Sequence, residues 1–597
     1  MVSTEEKLLA YLNAKSAYQS QAIPTKNKFT FISKLTGIPQ MWTLDENQGP
    51  VQLGHFADRV MSVHHSPQGD KTVIGMDHKG NEKQQLYLLR ETDAEAETLI
   101  CAPEYFHNFG GWSPDGRQIT FSSNRRHPGY FDVFVQDVLT KEVETVFQFD
   151  GKCVPLSWLQ DGEHILISIA ETNIDNAIYI LNLITNEITR IGKKETPASY
   201  QSIELTKDGK GGYLLTDSGE ETTYLCRFFF DHPDQLEILD NVAEWDIEGL
   251  KLSPNESRLI FTLNEGGISR LWMLDLHTKR KNTIEGIPDG VIESLSWLND
   301  DQFIFTLKTP TMPGDIWCYT LSEEKLKRLT NVGQSEVEGL WKEPELCSFP
   351  SFDNLEIPYF YYEKEPGVNK PAVVYVHGGP ESQIRAVYNP VIQYLVNQGF
   401  AVAAPNVRGS KGYGRTYIKL DDVRKRMDSV KDLSGLVQDL VSSHGVSSEK
   451  IGIMGRSYGG FMVLAALTHF PDLWAAGVDI VGISHFKTFL QNTGAWRRHL
   501  RESEYGSLEH DADFFEEIAP LNHSDKITAP LLVFHGRNDT RVPVSEAEQL
   551  VSDMKKRKQT VEFHVFEDEG HQTEKIENHI TMHSRTVAFM EQYLKES

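Results

Sequence analysis

A serine lies at the centre of residues 455–459, Gly-Arg-Ser-Tyr-Gly, which have the form Gly-x-Ser-x-Gly. A short apolar run at 451–454 precedes this pentapeptide, and a run with helical spacing follows from Gly460. Small residues around a serine at a sharp strand-to-helix turn expose its hydroxyl at the carboxyl edge of a sheet. The pattern therefore predicts that Ser457 is a nucleophile, with an incidental serine in a turn as the alternative.

A serine hydroxyl is a weak nucleophile and needs an oriented base. In an α/β-hydrolase the partners follow the nucleophile in the order acid, then histidine. Asp539 and His571 each follow a short apolar run. Asp539 comes 82 residues after Ser457, and His571 comes 32 residues after Asp539. We predict that His571 accepts the Ser457 proton and that Asp539 fixes the imidazole tautomer. The competing candidates in the same two loops are His535 and Asp568.

An acyl-transfer site must also hold the oxyanion of the tetrahedral intermediate. The first expected donor is the backbone N–H of Tyr458, directly after the nucleophile. The second is expected from the loop after the apolar run 371–376, which reads His-Gly-Gly-Pro at 377–380. Glycines there let the backbone approach a substrate closely, so we predict the N–H of Gly379 as the second donor.

The first half of the chain contains a repeat of about 46 residues. Turn signals such as Ser-Pro-Asp-Gly at 113–116 recur before short β-branched or aromatic runs. An aromatic marker inside the next apolar run recurs at spacings of 45, 47, 45, 45, 48 and 45 residues. Repeats of this length without helical periodicity are typical of four-stranded propeller blades. The seven markers predict a seven-bladed β-propeller over residues 22–335; they are Trp42, Tyr87, Phe134, Tyr179, Tyr224, Trp272 and Trp317.

The pattern changes after about residue 345 to buried apolar runs that alternate with helical segments. This alternation predicts a parallel, doubly wound sheet, so residues 345–597 are expected to form an α/β-hydrolase domain. The expected strands are at 371–376, 399–404, 451–454, 475–480, 530–534 and 561–566.

Residues 1–21 are predicted to form an N-terminal arm, with a helix over 3–19 that begins at a capping box of Ser3 and Glu6. A lone helix of this length is marginal in water and must pack on something. Its partner is expected to be the same chain or a second copy, and the second option predicts a homodimer.

Composition excludes several classes of function. The 597 residues include 59 Lys and Arg against 85 Asp and Glu, a net charge of −26, which argues against a nucleic-acid partner. No window approaches the roughly 18 uninterrupted apolar residues of a membrane span, and a secretory signal is not expected. The five cysteines are scattered without a Cys-x-x-Cys pair. These features predict a cytoplasmic protein without disulfides, metal site or cofactor.

The motifs together resemble the prolyl oligopeptidase family of serine peptidases. The resemblance rests on the repeats followed by five motifs in order: His-Gly-Gly-Pro at 377–380, Asn-Val-Arg-Gly-Ser-Lys-Gly-Tyr-Gly at 406–414, Gly-Arg-Ser-Tyr-Gly-Gly at 455–460, His-Gly-Arg-Asn-Asp at 535–539 and Glu-Gly-His at 569–571. Within the family the chain is most similar to acylaminoacyl peptidases, because His377 stands where prolyl oligopeptidases and dipeptidyl peptidases carry an oxyanion-binding tyrosine. Glu220 and Glu221 lack the surroundings of the pair that holds a substrate amine in dipeptidyl peptidases.

The resemblance implies a serine exopeptidase that releases N-acylated amino acids from short blocked peptides, with side esterase activity. A carboxylesterase and an endo-acting oligopeptidase are the alternatives, and a propeller-based interaction module is disfavoured because the triad and oxyanion positions are filled. Arg541, in Asp-Thr-Arg at 539–541, resembles the family's arginine that contacts a substrate carbonyl. Phe486 and Phe489 are predicted to line an apolar substrate pocket. Arg456 departs from the small or aromatic residues common at its position.

Overall fold

The structure is a computed structural model that describes residues 4–45, 47–91, 93, 95–241, 244–333 and 338–595. It divides into two compact units. One unit is Lys15–Gly333, and the other combines Met1–Ala14 with Gln334–Ser597.

The first unit contains seven four-stranded antiparallel sheets, each a meander in sequence order, which confirms the seven-bladed β-propeller. The blades are β1–β4 (Ala17–Ala22, Phe29–Ser33, Gln40–Asp45, Gly49–Gln52), β5–β8 (Val60–His65, Lys71–Met76, Gln85–Arg90, Glu97–Ile100), β9–β12 (His107–Trp112, Gln118–His127, Tyr130–Asp137, Val143–Phe147), β13–β16 (Cys153–Trp158, His164–Ala170, Asn176–Asn182, Ile188–Ile191), β17–β20 (Tyr200–Leu205, Gly211–Thr216, Tyr224–Phe229, Leu236–Asp240), β21–β24 (Asp246–Leu252, Arg258–Glu265, Ile268–Asp275, Lys281–Thr283) and β25–β28 (Val291–Trp297, Gln302–Thr309, Met312–Thr320, Lys325–Arg328).

The repeat found in the sequence corresponds to this architecture strand by strand. All seven aromatic markers lie on the third strand of their blades. The turn at 113–116 connects the first and second strands of the third blade, where the N–H of Gly116 donates to the carbonyl of Ser113 over 2.9 Å. The aromatic rings pack between strands, as Phe121 and Phe134 do with stacked centroids 5.1 Å apart. The repeat in the sequence therefore arises from two features of each blade, the turn between its first two strands and the aromatic residue on its third strand.

The first blade begins earlier than the sequence predicts. The N-terminal helix α1 is Thr4–Leu12, and Ala17–Ala22 is already a propeller strand. The prediction of a helix over 3–19 and an arm over 1–21 is therefore wrong beyond Leu12, because the hydroxyl of Ser20 and the N–H of Ala22 bond to the last blade. These contacts tie the two ends of the repeat series together. The proposed cap at Ser3 lies outside the described residues.

Helix α1 packs on its own chain. Leu8 and Tyr11 are buried, the Tyr11 ring lies edge-on to Tyr394 with centroids 5.3 Å apart, and the Tyr388 hydroxyl donates to the Tyr11 carbonyl. These contacts bury the apolar side of a helix too short to persist alone. The homodimer stays a prediction, and these two side chains do not need a second copy to be covered.

The second unit contains a sheet of eight strands in the order β29-β30-β32-β31-β33-β34-β35-β36. From β32 through β36 all neighbouring strands are parallel, as predicted, whereas β29 and β30 form an antiparallel edge that the sequence pattern did not indicate. The strands are β29 (Glu345–Pro350), β30 (Glu356–Tyr362), β31 (Lys370–Val376), β32 (Ala401–Pro405), β33 (Val446–Arg456), β34 (Ala476–Ile480), β35 (Leu531–Gly536) and β36 (Val561–Phe566).

Helices cover this sheet, and their ends are set by local sequence. Helix α2 begins after Asn389, whose side chain accepts from the N–H groups of Val391 and Ile392, with proline at the first helical position. No helix in the described part of the chain has the length and apolar character to cross a membrane. The helices are α2 (Pro390–Asn397), α3 (Arg415–Ile418), α4 (Arg426–Ser443), α5 (Tyr458–His469), α6 (Phe486–Asn492), α7 (Ala495–Tyr505), α8 (Ala512–Ile518), α9 (Ser545–Lys556) and α10 (Ile576–Leu594), with 3₁₀ turns at Glu338–Leu340, Val423–Lys425, Pro471–Leu473 and Pro520–Lys526.

Candidate active site

Ser457 lies at a sharp turn between strand β33 and helix α5. Its backbone has φ 61° and ψ −118°, a conformation that is strained for a residue with a side chain. A Cβ on Gly459 would lie 2.3 Å from the carbonyl oxygen of Val376, so only glycine permits the helix to start this close to the neighbouring strand. The turn therefore has the geometry of a nucleophile elbow, with the hydroxyl at the carboxyl edge of the sheet.

Ser457, His571 and Asp539 form one hydrogen-bonded chain. The Ser457 Oγ lies 3.1 Å from His571 Nε2, and His571 Nδ1 lies 2.7 Å from Asp539 Oδ2. A carboxylate only accepts, so Nδ1–H donates to Asp539 and Nε2 is left to accept from the serine hydroxyl. Burial acts to raise the pKa of Asp539, but the hydrogen bond and charge of His571 and the N–H of Val542 bring it below its usual value. The acid is therefore held ionised beside the imidazole.

The two competing residues have other contacts. His535 Nε2 donates to the carbonyl of Val542 over 2.9 Å and lies 3.7 Å from the carboxylate of Asp539. Burial lowers the pKa of His535, so it is neutral and supports the loop of the acid. Asp568 is exposed and pairs with Lys575. Among the hydrogen bonds of the described residues, His571 bonds to Ser457, and neither His535 nor Asp568 does.

Two backbone N–H groups border the nucleophile. Tyr458 is the first residue of α5, so its N–H has no acceptor within the helix and lies at the positive end of the helix dipole. The 377–380 loop passes over Ser457, because a Cβ on Gly378 would lie 3.4 Å from the Cβ of Ser457. The Tyr505 hydroxyl donates to the carbonyl of Gly379 over 3.3 Å and so holds that peptide. Both predicted oxyanion donors thus lie on segments adjacent to the hydroxyl.

A cavity of about 470 Å³ opens beside these residues, and all of its lining belongs to the second unit. Ser457, His571, Gly379 and Arg541 line it, as do the rings of Tyr362 and Tyr375. Cavities of this size hold small ligands and short peptides. Arg541 therefore lies in the cavity wall together with Ser457, and its contact with a substrate carbonyl stays a prediction.

Known proteins are similar to this chain in sequence and in fold. The model of the prolyl oligopeptidase family matches residues 387–597, which include Ser457, Asp539 and His571. Residues 387–597 therefore form a domain of the prolyl oligopeptidase family. The chain is a serine hydrolase, as the sequence predicts.

Individual relatives carry different specificities in their names. The chain is 25% identical to dipeptidyl aminopeptidase BIII of Pseudoxanthomonas mexicana, over 96% of this chain and 86% of that protein. It is 28% identical to the acylamino-acid-releasing enzyme of Arabidopsis thaliana, over 35% of this chain and 28% of that protein. A puromycin-hydrolyzing peptidase of Mycobacterium tuberculosis superposes with a TM-score of 0.86 at 17% identity, covering 98% of this chain and 96% of the other. The relatives thus share the serine peptidase class and differ in substrate.

The structure does not show the aromatic substrate pocket that the sequence predicts. Phe486 and Phe489 are each 1% exposed and are not among the residues that line the cavity. The Phe486 ring packs 4.7 Å from the centroids of both Phe461 and Tyr505. Both phenylalanines belong to the hydrophobic core of the hydrolase unit, because α6 turns its apolar side toward helix α5 and not toward the nucleophile. The prediction that they bind substrate is therefore wrong.

Arg456, the departure from the usual family sequence, has a positioning role that the sequence did not show. Its guanidinium donates to the backbone carbonyl of His571 over 2.7 Å and to the Thr573 hydroxyl over 3.4 Å. Burial lowers the pKa of this arginine. The residue before the nucleophile therefore anchors the loop that carries the base.

A buried carboxyl group lies directly behind the nucleophile elbow of this enzyme. Asp479 is 0% exposed on β34, and a Cβ on Gly460 would lie 2.3 Å from its Oδ1. Burial raises the pKa of Asp479 to about 7, although the nearby N–H of Gly482 acts in the opposite direction. Both carboxylate oxygens are buried and have no hydrogen-bond partner among the described residues. The folded chain thus keeps a proton here that the unfolded chain releases near pH 4.

Asp479→Asn is expected to change how stability depends on pH. The stabilisation from the retained proton is complete below about pH 4 and is lost as the pH rises to about 7, at up to about 1.4 kcal/mol per pH unit. The neutral amide does not titrate, so the variant's melting temperature should rise relative to the native protein across this window. Asp472→Asn, at an exposed position, is the control and should show a constant difference. Parallel pH profiles for Asp479→Asn and the native chain would contradict the assignment.

Proposed function

We propose that this chain is a serine exopeptidase that releases N-acylated amino acids from short blocked peptides. The observation that carries the proposal is the composition of the cavity beside Ser457. Among the described residues, five arginines line it and no aspartate or glutamate does. A free peptide amine is cationic at neutral pH and would find like charges and no carboxylate in this wall, whereas an N-acyl group is neutral.

The proposed reaction uses the groups already described. The Ser457 Oγ attacks the carbonyl carbon of the scissile bond while His571 Nε2 takes the hydroxyl proton, and Asp539 stabilises the imidazolium. The oxyanion accepts from the N–H groups of Tyr458 and Gly379. His571 then returns the proton to the leaving amine, the C–N bond breaks, and water hydrolyses the acyl-enzyme in the reverse order of proton transfers.

A dipeptidyl aminopeptidase is the second candidate. It is favoured by the relative that aligns with 96% of this chain, dipeptidyl aminopeptidase BIII. Both candidates use the same acyl-enzyme chemistry, so they differ in the group that lies on the N-terminal side of the cleaved bond. The distinction therefore depends on recognition of an acyl group or an ammonium group.

Matched peptides distinguish the two candidates. Acetyl-Ala-Ala-Ala and Ala-Ala-Ala differ only at the N-terminus, which is a neutral acetyl amide in the first and a cationic amine in the second, and we expect at least about tenfold higher kcat/KM for the acetylated peptide. Mass spectrometry of the first product should find acetyl-alanine. Nitrophenyl acetate serves as the control for active enzyme, since its ester reacts with the same serine. Release of Ala-Ala from the free peptide at a higher kcat/KM would reject the acylaminoacyl assignment in favour of the second candidate.

A further inference from the structure

The active-site cavity has a charge opposite to that of the chain. The protein has a net charge of −26, yet the residues that the structure describes around the cavity next to Ser457 include five arginines and no carboxylate. Clustered cations in a concave site attract anions, because low-dielectric walls strengthen the local field. The five arginines are Arg385, Arg456, Arg497, Arg501 and Arg541.

Two of these arginines already serve the protein itself. Arg456 donates to the backbone of the His571 loop. Arg501 forms a bidentate pair with Glu381, with distances of 3.0 and 2.9 Å to its two carboxylate oxygens. Both guanidinium groups already bind groups of the protein, so these two arginines do not by themselves indicate a ligand.

Arg497 differs from both. It lies half-buried on α7. Among the residues that the structure describes, its guanidinium has no carboxylate partner and no hydrogen-bond acceptor. Its guanidinium carbon lies 5.6 Å from the centroid of the Trp496 ring, which is a cation–π contact. Burial and the neighbouring charges of Arg501 and Arg541 lower the pKa of Arg497 to about 10, so it remains a cation at neutral pH. A partly buried cation without a counterion is costly, and that cost is relieved when an anion binds.

We infer that Arg497, with Arg385 and Arg541 in the same wall, binds a carboxylate of the peptide substrate. Arginine presents paired N–H donors that match a carboxylate in a bidentate arrangement. The carboxylate comes from an acidic side chain beside the cleaved bond or from the C-terminus of a short peptide. The inference rests on the proposed function in one respect, namely that the cavity holds the peptide cleaved at Ser457.

Pairs of substrates with equal shape and different charge test the inference on the native enzyme. One pair has Glu or Gln before the cleaved bond, a second has Glu or Gln after it, and a third has a free or an amidated C-terminus. Each pair is prepared with an acetylated and a free N-terminus. At one of the three places we expect the charged form to have about tenfold or higher kcat/KM, since charge-assisted hydrogen bonds are among the stronger contacts. The place identifies the source of the carboxylate.

A variant assigns the effect to Arg497. Arg497→Gln is expected to bring the ratio of kcat/KM for the charged and neutral forms close to one. Arg498→Gln removes the same charge from the next residue of α7, whose side chain donates to the carbonyl of Gln491 and is not part of the cavity lining. It should keep the native ratio.

The outcomes separate this inference from the proposed function. Equal kcat/KM for the charged and neutral forms at all three places would overturn the carboxylate site, whatever the preference at the N-terminus. A preference for free amines together with a preference for the charged forms would overturn the acylaminoacyl assignment alone. An unchanged ratio in a folded Arg497→Gln would remove Arg497 from the site. If that variant does not fold, the native ratios still decide.

Discussion

Ser457→Ala is expected to lower kcat for peptides and esters by at least about 10⁴-fold, because the variant removes the atom that forms the acyl-enzyme. The Ser457 Oγ lies 3.1 Å from His571 Nε2, and neither of the competing loop residues reaches it. The backbone donors at Tyr458 and Gly379 remain in the variant, so a residual rate above that of water is expected. Initial rates with acetyl-Ala-Ala-Ala and nitrophenyl acetate measure the loss.

A matched serine variant controls for loss of structure. Ser442→Ala changes an exposed serine of α4 whose hydroxyl bonds only within its own helix region, and it should keep native activity. A serine-reactive phosphonate should label the native chain and the Ser442→Ala variant once, and Ser457→Ala not at all. A folded Ser457→Ala enzyme that retains more than about a hundredth of the native kcat would contradict the mechanism.

The candidate catalytic residues could be predicted because each follows a short apolar run in an order that the fold dictates. Ser457, Asp539 and His571 all come after parallel strands, whose carboxyl ends meet at one edge of a sheet. The blades were predictable for a related reason, since each must repeat the same turn chemistry and the same third-strand aromatic. The candidate triad and the blades could therefore be predicted from short local motifs and from a repeat of constant length.

The walls of the site could not be predicted because long-range packing determines them. The spacing of Phe486 and Phe489 shows that α6 has an apolar side, but it does not show whether that side meets the core or a cavity. Arg456 acts on a carbonyl 115 residues away in the chain, at His571. Arg497 indicates a binding site only because Arg541 lines the same cavity and no carboxylate does so among the described residues. None of these contacts leaves a periodic pattern in the sequence.

The N-terminal boundary illustrates the limit of helix periodicity. Residues after Leu12 continue a loose apolar stripe, yet Ala17–Ala22 becomes a strand because the last blade offers it hydrogen-bonding partners. Tertiary pairing therefore overrides a weak helical preference. The antiparallel strands β29 and β30 were overlooked for a similar reason, since the parallel pattern gives no information about an added sheet edge.

Arg426→Met is expected to destabilise the hydrolase unit by about 3–5 kcal/mol. Arg426 is 1% exposed and binds Asp421 and Glu504, which are 0% and 2% exposed. Asp421, Asp422 and Glu504 bring carboxylate oxygens within 4.8 Å of one another, and the guanidinium supplies the cation between Asp421 and Glu504. Burial alone would lower the pKa of Arg426, but these neighbours raise it well above its usual value. Removing the cation leaves buried carboxylates without compensation.

The effect should reach the nucleophile elbow as well. The Arg426 guanidinium donates to the Tyr458 hydroxyl over 3.0 Å and lies 5.1 Å from the centroids of both the Tyr458 and Tyr505 rings. Tyr458 carries one proposed oxyanion donor in its backbone, and Tyr505 holds the carbonyl of Gly379. We therefore expect kcat to fall together with stability in Arg426→Met, with KM changing less, because the oxyanion forms only in the transition state.

Three variants separate the loss of the cation from a general loss of packing. Arg424→Met lies two residues earlier, where an exposed arginine pairs with Asp513, and should cost no more than about 1 kcal/mol. Combining Arg426→Met with Asp421→Asn and Glu504→Gln removes the stranded charges, so the triple variant should melt at a higher temperature than Arg426→Met alone. At about 2–4 °C per kcal/mol for a unit of this size, the single variant should melt roughly 6–20 °C below the native protein. Equal melting temperatures for Arg424→Met and Arg426→Met, or a triple variant less stable than the single one, would show that the buried cation does not hold this cluster together.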